Sequence, residues 1–247
     1  MNSEFERQAA WFATPLGQRF VADEQAVAAD VLDTVFGEHL VQIGQWYAPE
    51  TFLAHARTQK KTLIDWRAGT AADVVMQPNR LAIAADSVDA VILPHTLELV
   101  PSPHALLREV ERILRADGHL IVLSFEPNGL WGMRHLLARH GFPYPQRRLM
   151  REGRLRDWLE LLSFAVAPAR RYCHALPVSR FAWFGRAPEE AWASRWLPFL
   201  RAGNCVAAQK RVLPLTPVRQ LWRPQRLRVV SGLVEPTTNS APRSKLP

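Results

Sequence analysis

At 247 residues, 48 % of them hydrophobic, and with a formal net charge of +8, the chain can bury a substantial core and falls in the range where α/β folds often stay undivided. Its two cysteines, Cys173 and Cys205, exclude a disulfide framework and a cysteine-built metal centre, and predict a reducing compartment, the cytoplasm. No apolar run reaches the roughly 18–20 residues of a membrane span, and the first twenty residues have no apolar core behind a basic stretch, so neither a transmembrane segment nor a secretory leader is expected.

In chain order, apolar residues at helical intervals, among them Val27, Val31, Leu32 and Val35, predict helices over 6–20 and 24–36 with a break at Thr14-Pro15. Residues 1–36 are thus expected to form a helical cap. Residues 40–43 (LVQI) read as a short strand leading into Gly44, 62–66 (TLIDW) as a second with Asp65 near its carboxyl end, and 72–76 (ADVVM) as a third followed by Gln77.

The next stretch marks every boundary of a strand, helix, strand unit. Residues 90–99 follow the turn formers Asp86, Ser87 and Asp89, and the run Ala90, Val91, Ile92, Leu93 does not alternate, as expected of a strand buried on both faces. Ser102 followed by Pro103 predicts a helix cap with proline in the first turn. Leu106, Leu107, Val110, Ile113 and Leu114 then recur at 3.6-residue spacing, and Asp117-Gly118 is expected to end the helix before a strand over 119–125. Such a right-handed crossover predicts an α/β fold, a Rossmann-like, doubly wound and mostly parallel sheet.

Beyond it, Glu126 and Asn128 leave the fifth strand where open α/β sheets build pockets from loops, and Asn128 is placed to cap a helix running to about residue 139. A second amphipathic helix is expected over 154–164, with Leu155, Trp158, Leu159 and Leu162 inward. Residues 165–174 and 204–212 read as the last two strands, separated by an insert over about 177–203. The insert carries Phe181, Trp183, Phe184, Trp192, Trp196 and Phe199; it either walls an apolar cavity, makes a dimer contact or packs as an ordinary helical insert.

Asp86, Ser87, Asp89, Val91, His95, Leu107, Glu109, Arg112, Leu114 and Gly118 stand at the spacing D-S-x-D-x-V, then H, then L-x-E-x-x-R-x-L-x-x-x-G. In this order they resemble the region after the cofactor loop in small class I S-adenosylmethionine-dependent methyltransferases, the type 11 family. The resemblance covers roughly residues 37–170. It implies a seven-stranded sheet with an antiparallel last strand, a methyltransferase-like domain over 37–213, S-adenosylmethionine as cofactor, and N-terminal helices that roof its pocket through Trp11, Phe12 and Phe20.

It also implies a set of cofactor-binding positions: Gly44, Asp65, Gln77, Leu81 and His95. Gly44 stands where the first loop glycine is expected, but Gln45, Trp46 and Tyr47 replace the small residues that usually follow; an aromatic there either stacks on the cofactor or fills its place. Asp65 is a ribose acceptor or an exposed turn acid. Gln77 pairs with an adenine edge or is solvated, with Leu81 just beyond it. His95 is a general base, a pocket wall or a structural histidine. No catalytic residue and no metal ligand is assigned; His95, Glu98 and Glu126 are the acids and bases nearest the strand ends.

Charge is unevenly divided. Residues 1–100 hold 7 Lys and Arg against 13 Asp and Glu, a balance of −6, and residues 101–247 hold 24 against 10, a balance of +14. After Leu200 nine basic residues accompany the single acid Glu235, and residues 214–247 read as a basic, partly disordered tail. The expected function is methyl transfer to an unidentified acceptor, such as a small molecule. Alternatives are a catalytically inactive methyltransferase-fold scaffold and an RNA-binding methyltransferase that uses the basic half for phosphate contacts and Trp222 for stacking.

Overall fold

The computed structural model describes residues 10–138, 142, 149–175, 177 and 198–211. Thr14 ends a helical turn at residues 10–12 and starts the helix Pro15–Leu32 (α1), its hydroxyl accepting the Gly17 N–H at 3.1 Å. The break at Thr14-Pro15 is therefore real. The segments expected over 6–20 and 24–36 join beyond that break into one helix, because Phe20, Val21, Glu24 and Ala28 form one continuous buried face, and it ends at Leu32 rather than at residue 36.

Eight strands follow, His39–Ile43 (β1), Lys60–Asp65 (β2), Val74–Val75 (β3), Val88–Pro94 (β4), Leu114–Phe125 (β5), Phe164–Val166 (β6), Arg170–His174 (β7) and Arg201–Lys210 (β8). They lie in the order β3-β2-β1-β4-β5-β8-β6, with β7 also on β8. The first five are parallel and β8 is antiparallel to its neighbours, as the doubly wound reading requires. β6 and β7 are two pieces of the single strand expected over 165–174. Between the pairs Val166↔Ala208 and Arg170↔Cys205 the chain takes four steps on one side and three on the other, a one-residue bulge next to Pro168. Counting that path once leaves seven.

Several boundaries differ from expectation for identifiable reasons. β3 is only two residues long, since Asp73 uses its carboxylate to take the Leu63 N–H. β4 stops at Pro94, and His95 turns the chain in a left-handed conformation (φ 52) into the short helix Thr96–Leu99. The helix Pro103–Ile113 ends before Asp117-Gly118, because its last carbonyls find partners early. Asp86 and Ser87 N–H take Arg112 and Ile113 C=O at 3.0 and 2.9 Å, and Lys210 Nζ takes Glu111 and Leu114 C=O at 2.7 and 2.9 Å. Ser102 precedes this helix without a side-chain cap, and the helix Leu130–Leu137 begins at Gly129 with no cap from Asn128. Two further helices are Glu50–Leu53 and Glu152–Leu161.

Successive residues of each central strand point to opposite faces, and both faces are buried. Leu40, Ile92, Ile121 and Leu123 pack with α1, while Val41, Val91, Leu93 and Val122 pack with Leu106, Leu107, Val110 and Ile113 of 103–113 and with Leu155 and Leu159 of 152–161. Each such aliphatic side chain contributes about 1.5–3 kcal/mol. No described helix is long and apolar enough to cross a membrane.

Candidate functional site

The carboxyl ends of β1, β2, β4 and β5 come together around a polar cluster that no local segment builds alone. His95 leaves β4 in its left-handed turn, fully buried. Its Nδ1 lies 2.9 Å from Glu98 Oε2, one turn on, and its Nε2 lies 2.8 Å from Glu24 Oε1 on α1. Glu24 also accepts from Tyr172 OH at 2.7 Å and from Trp46 Nε1 at 3.1 Å, and Glu98 Oε1 accepts the Phe125 N–H at 2.8 Å. Burial alone would lower the His95 pKa, but the carboxylates of Glu24 and Glu98 override it and hold the ring up at about 9. Burial pushes Glu98 up, and Tyr172 well above its ordinary range.

With both ring nitrogens engaged, His95 ties α1, β4, β7 and the loop after β1 together. It offers no nitrogen to a substrate. Trp46 stacks on this ring and is buried, with Phe12 edge-on against Trp46 and Phe20 against His95 and Phe125. Trp11, Phe12 and Phe20 belong to the core beneath the strand ends.

On the β2 side, Gly44 turns the chain at φ 93; a Cβ there would lie 2.7 Å from Thr96 Oγ1, so only glycine fits. Thr96 Oγ1 in turn donates to Ile43 C=O. Asp65 is fully buried rather than an exposed turn acid. Its Oδ1 takes the Arg67 N–H at 2.8 Å and Nε at 3.0 Å; its Oδ2 takes the Gln45 N–H at 2.7 Å and Arg67 Nη2 at 2.8 Å. The same Nη2 reaches Gln45 C=O at 2.6 Å, so Arg67 bridges the two loops.

The other expected positions lie apart from this cluster. Gln77 is exposed in the loop after β3. Leu81 is buried and its backbone is committed, the N–H to Glu109 Oε2 at 3.0 Å and the C=O to Arg112 Nη2 at 2.9 Å. Glu126 is buried at the end of β5, with Asn128 N–H on its Oε1 at 3.0 Å and Arg171 Nε 4.0 Å from its Oε2. It borders a cleft of about 490 Å³ lined by Glu126, Asn128, Glu152, Arg171, Phe199 and Arg201.

Burial pushes both thiols up, Cys173 well above the usual range and Cys205 to about 12, which leaves them protonated. Among the described residues no group of His, Cys, Asp or Glu could hold a metal ion. Phe181, Trp183, Phe184, Trp192 and Trp196 of the insert, and the tail with Trp222, lie outside the described residues.

Sequence reasoning missed Glu24, Tyr172 and Arg67. Glu24 had one visible signal, a carboxylate on the apolar stripe of α1 between Phe20 and Ala28. For Tyr172 and Arg67 there was none, since their roles depend on partners brought together by the sheet.

A family model described as "Methyltransferase domain" matches residues 46–122. The "Uncharacterized protein YafS" of Escherichia coli (strain K12) is 34 % identical over 202 residues, covering 80 % of each chain. Among solved structures, a SAM-dependent methyltransferase of Thermotoga maritima superposes with a TM-score of 0.61 at 17 % identity, over 85 % of this chain and 96 % of its own. A SAM-dependent methyltransferase of Archaeoglobus fulgidus gives 0.57 at 14 %, over 76 % and 93 %. At these identities the two structures bear on fold alone.

Proposed function

Because the chain belongs to the class I S-adenosylmethionine-dependent methyltransferases, we propose that it binds S-adenosylmethionine at the carboxyl ends of β1 and β2 and passes the methyl group to an acceptor in the cleft at the end of β5. The observation that carries this reading is the 2.7 Å bond from Gln45 N–H to Asp65. It sets the glycine loop beside an acid about 20 residues on, and a bare turn next to a ribose-binding carboxylate is what doubly wound folds present to a nucleoside.

The residues suit the cofactor in kind. Gly44 keeps the backbone bare at the loop, and Asp65 is a carboxylate able to accept two ribose hydroxyls. When bound, the cofactor supplies an electrophilic sulfonium methyl group, open to in-line displacement by a nucleophile about 3–3.5 Å away. The protein's work is positioning. His95, fixed by Glu24 and Glu98, holds Trp46 and α1 rigid beneath the site. Glu126 borders the cleft, where its carboxylate can take the acceptor's proton as the methyl bond forms. Charges of both signs and the half-exposed Phe199 favour a small polar acceptor over a long apolar one.

Calorimetric titration of ligand-free protein with S-adenosylmethionine and S-adenosylhomocysteine tests the reading, and micromolar binding at one site is the expected result. A second reading, a scaffold without catalysis, is favoured by the burial of Trp46 and the engagement of Asp65. Absence of binding to folded, ligand-free protein selects it.

A further inference from the structure

We infer that Arg67 is an internal competitor for the cofactor: its guanidinium occupies the hydrogen-bonding positions on Asp65 that ribose hydroxyls would use, and cofactor affinity is set by its displacement. The inference rests on the cofactor reading above and goes beyond it in naming the residue that controls the site.

A carboxylate has about four acceptor positions, and Asp65 has four donors. Two are backbone N–H groups, from Gln45 at 2.7 Å and Arg67 at 2.8 Å, which form part of the loop itself. The other two, Nε at 3.0 Å and Nη2 at 2.8 Å, form a bidentate side-chain pair, a geometry that arginine and a vicinal diol share. A ligand hydroxyl gains Asp65 only by replacing these two.

Exposure gives the direction of approach. The Asp65 side chain is 0 % exposed and that of Arg67 is 20 % exposed, so Arg67 lies on the solvent side of the acid. Its third contact, Nη2 to Gln45 C=O at 2.6 Å, spans the gap between the β1 and β2 loops. The guanidinium also lies over the Trp66 ring, 5.0 Å from its centroid, a surface that can keep it once it leaves the carboxylate. The competitor is therefore a side chain with somewhere to go, and the backbone donors that shape the loop stay in place.

If about one molecule in ten has the acid free, removing the competitor raises apparent affinity about tenfold. The test is calorimetric titration with S-adenosylhomocysteine of wild type, Arg67→Met, which keeps the length and removes the donors, and Arg67→Lys, which keeps the charge but loses the fork. Thermal melting checks that each is folded. Expected is binding about tenfold tighter in Arg67→Met, with Arg67→Lys between; if the Met variant does not fold, Lys alone must still bind more tightly than wild type. Wild-type binding with equal or weaker binding by the folded variants overturns the inference and leaves the cofactor reading standing. Folded wild type and variants that all fail to bind overturn both.

Discussion

Trp46 lies almost flat on His95, with ring centroids 3.9 Å apart and 27° between the planes, and its indole N–H bonds Glu24 at 3.1 Å. A residue that looks in sequence like an obstruction of the glycine loop is thus a keystone of the core. Trp46→Ala removes a buried ring and a donor to a buried carboxylate, and should destabilise by about 3–5 kcal/mol. Urea unfolding checks this, as a lower midpoint at unchanged slope.

The Glu24–His95–Glu98 trio makes stability depend on pH. Against burial, the two carboxylates hold His95 up at about 9 in the folded protein, compared with an ordinary histidine's 6.5. Its contribution is fully present below pH 6.5 and is lost as pH rises through about 9. Glu98, also raised, acts with the same sign. Stability should therefore fall across that window by up to about 1.4 kcal/mol per pH unit for one proton, read as a falling melting temperature, and His95→Asn should flatten the slope. A wild-type profile level from pH 6 to 9.5 would contradict the assignment.

Gly44→Ala places a side chain at φ 93 and 2.7 Å from the Thr96 hydroxyl. The backbone strain alone costs about 1–3 kcal/mol, and the contact adds to it. Thr96→Ala in the same chain should recover the contact but not the strain, so the double variant loses less than the sum of the two single losses in chemical denaturation.

Lys210, near the end of β8, caps the carbonyls of Glu111 and Leu114 and pairs with Asp86 and Glu111, both at 3.1 Å. Lys210→Met leaves buried acceptors without a donor, a loss of about 1–3 kcal/mol. Calorimetric melting should show a drop of several degrees; an unchanged melting point would mean that solvent satisfies these carbonyls.

Much of the fold was legible because its signals are local. The unbroken apolar run Ala90 to Leu93, the Pro103 start and the 3.6-residue spacing of Leu106, Leu107, Val110 and Ile113 each follow from the geometry of one element. Gly44 and Asp65 were legible as positions for the same reason: each ends a strand. The helix end at Ile113 was not, since Asp86, Ser87 and Lys210 satisfy its carbonyls from far along the chain.

By itself, then, the sequence determined a doubly wound α/β sheet with the family's pattern of turns, because periodicity and turn residues act within a few positions. Only the tertiary structure decided what the polar residues at the strand ends do. Glu24 and Tyr172 are 148 positions apart yet share one hydrogen bond, and the partners that hold His95 and Asp65 come together only in the folded sheet. Burial makes such partners obligatory, since a buried charge left without one is far costlier than any local preference.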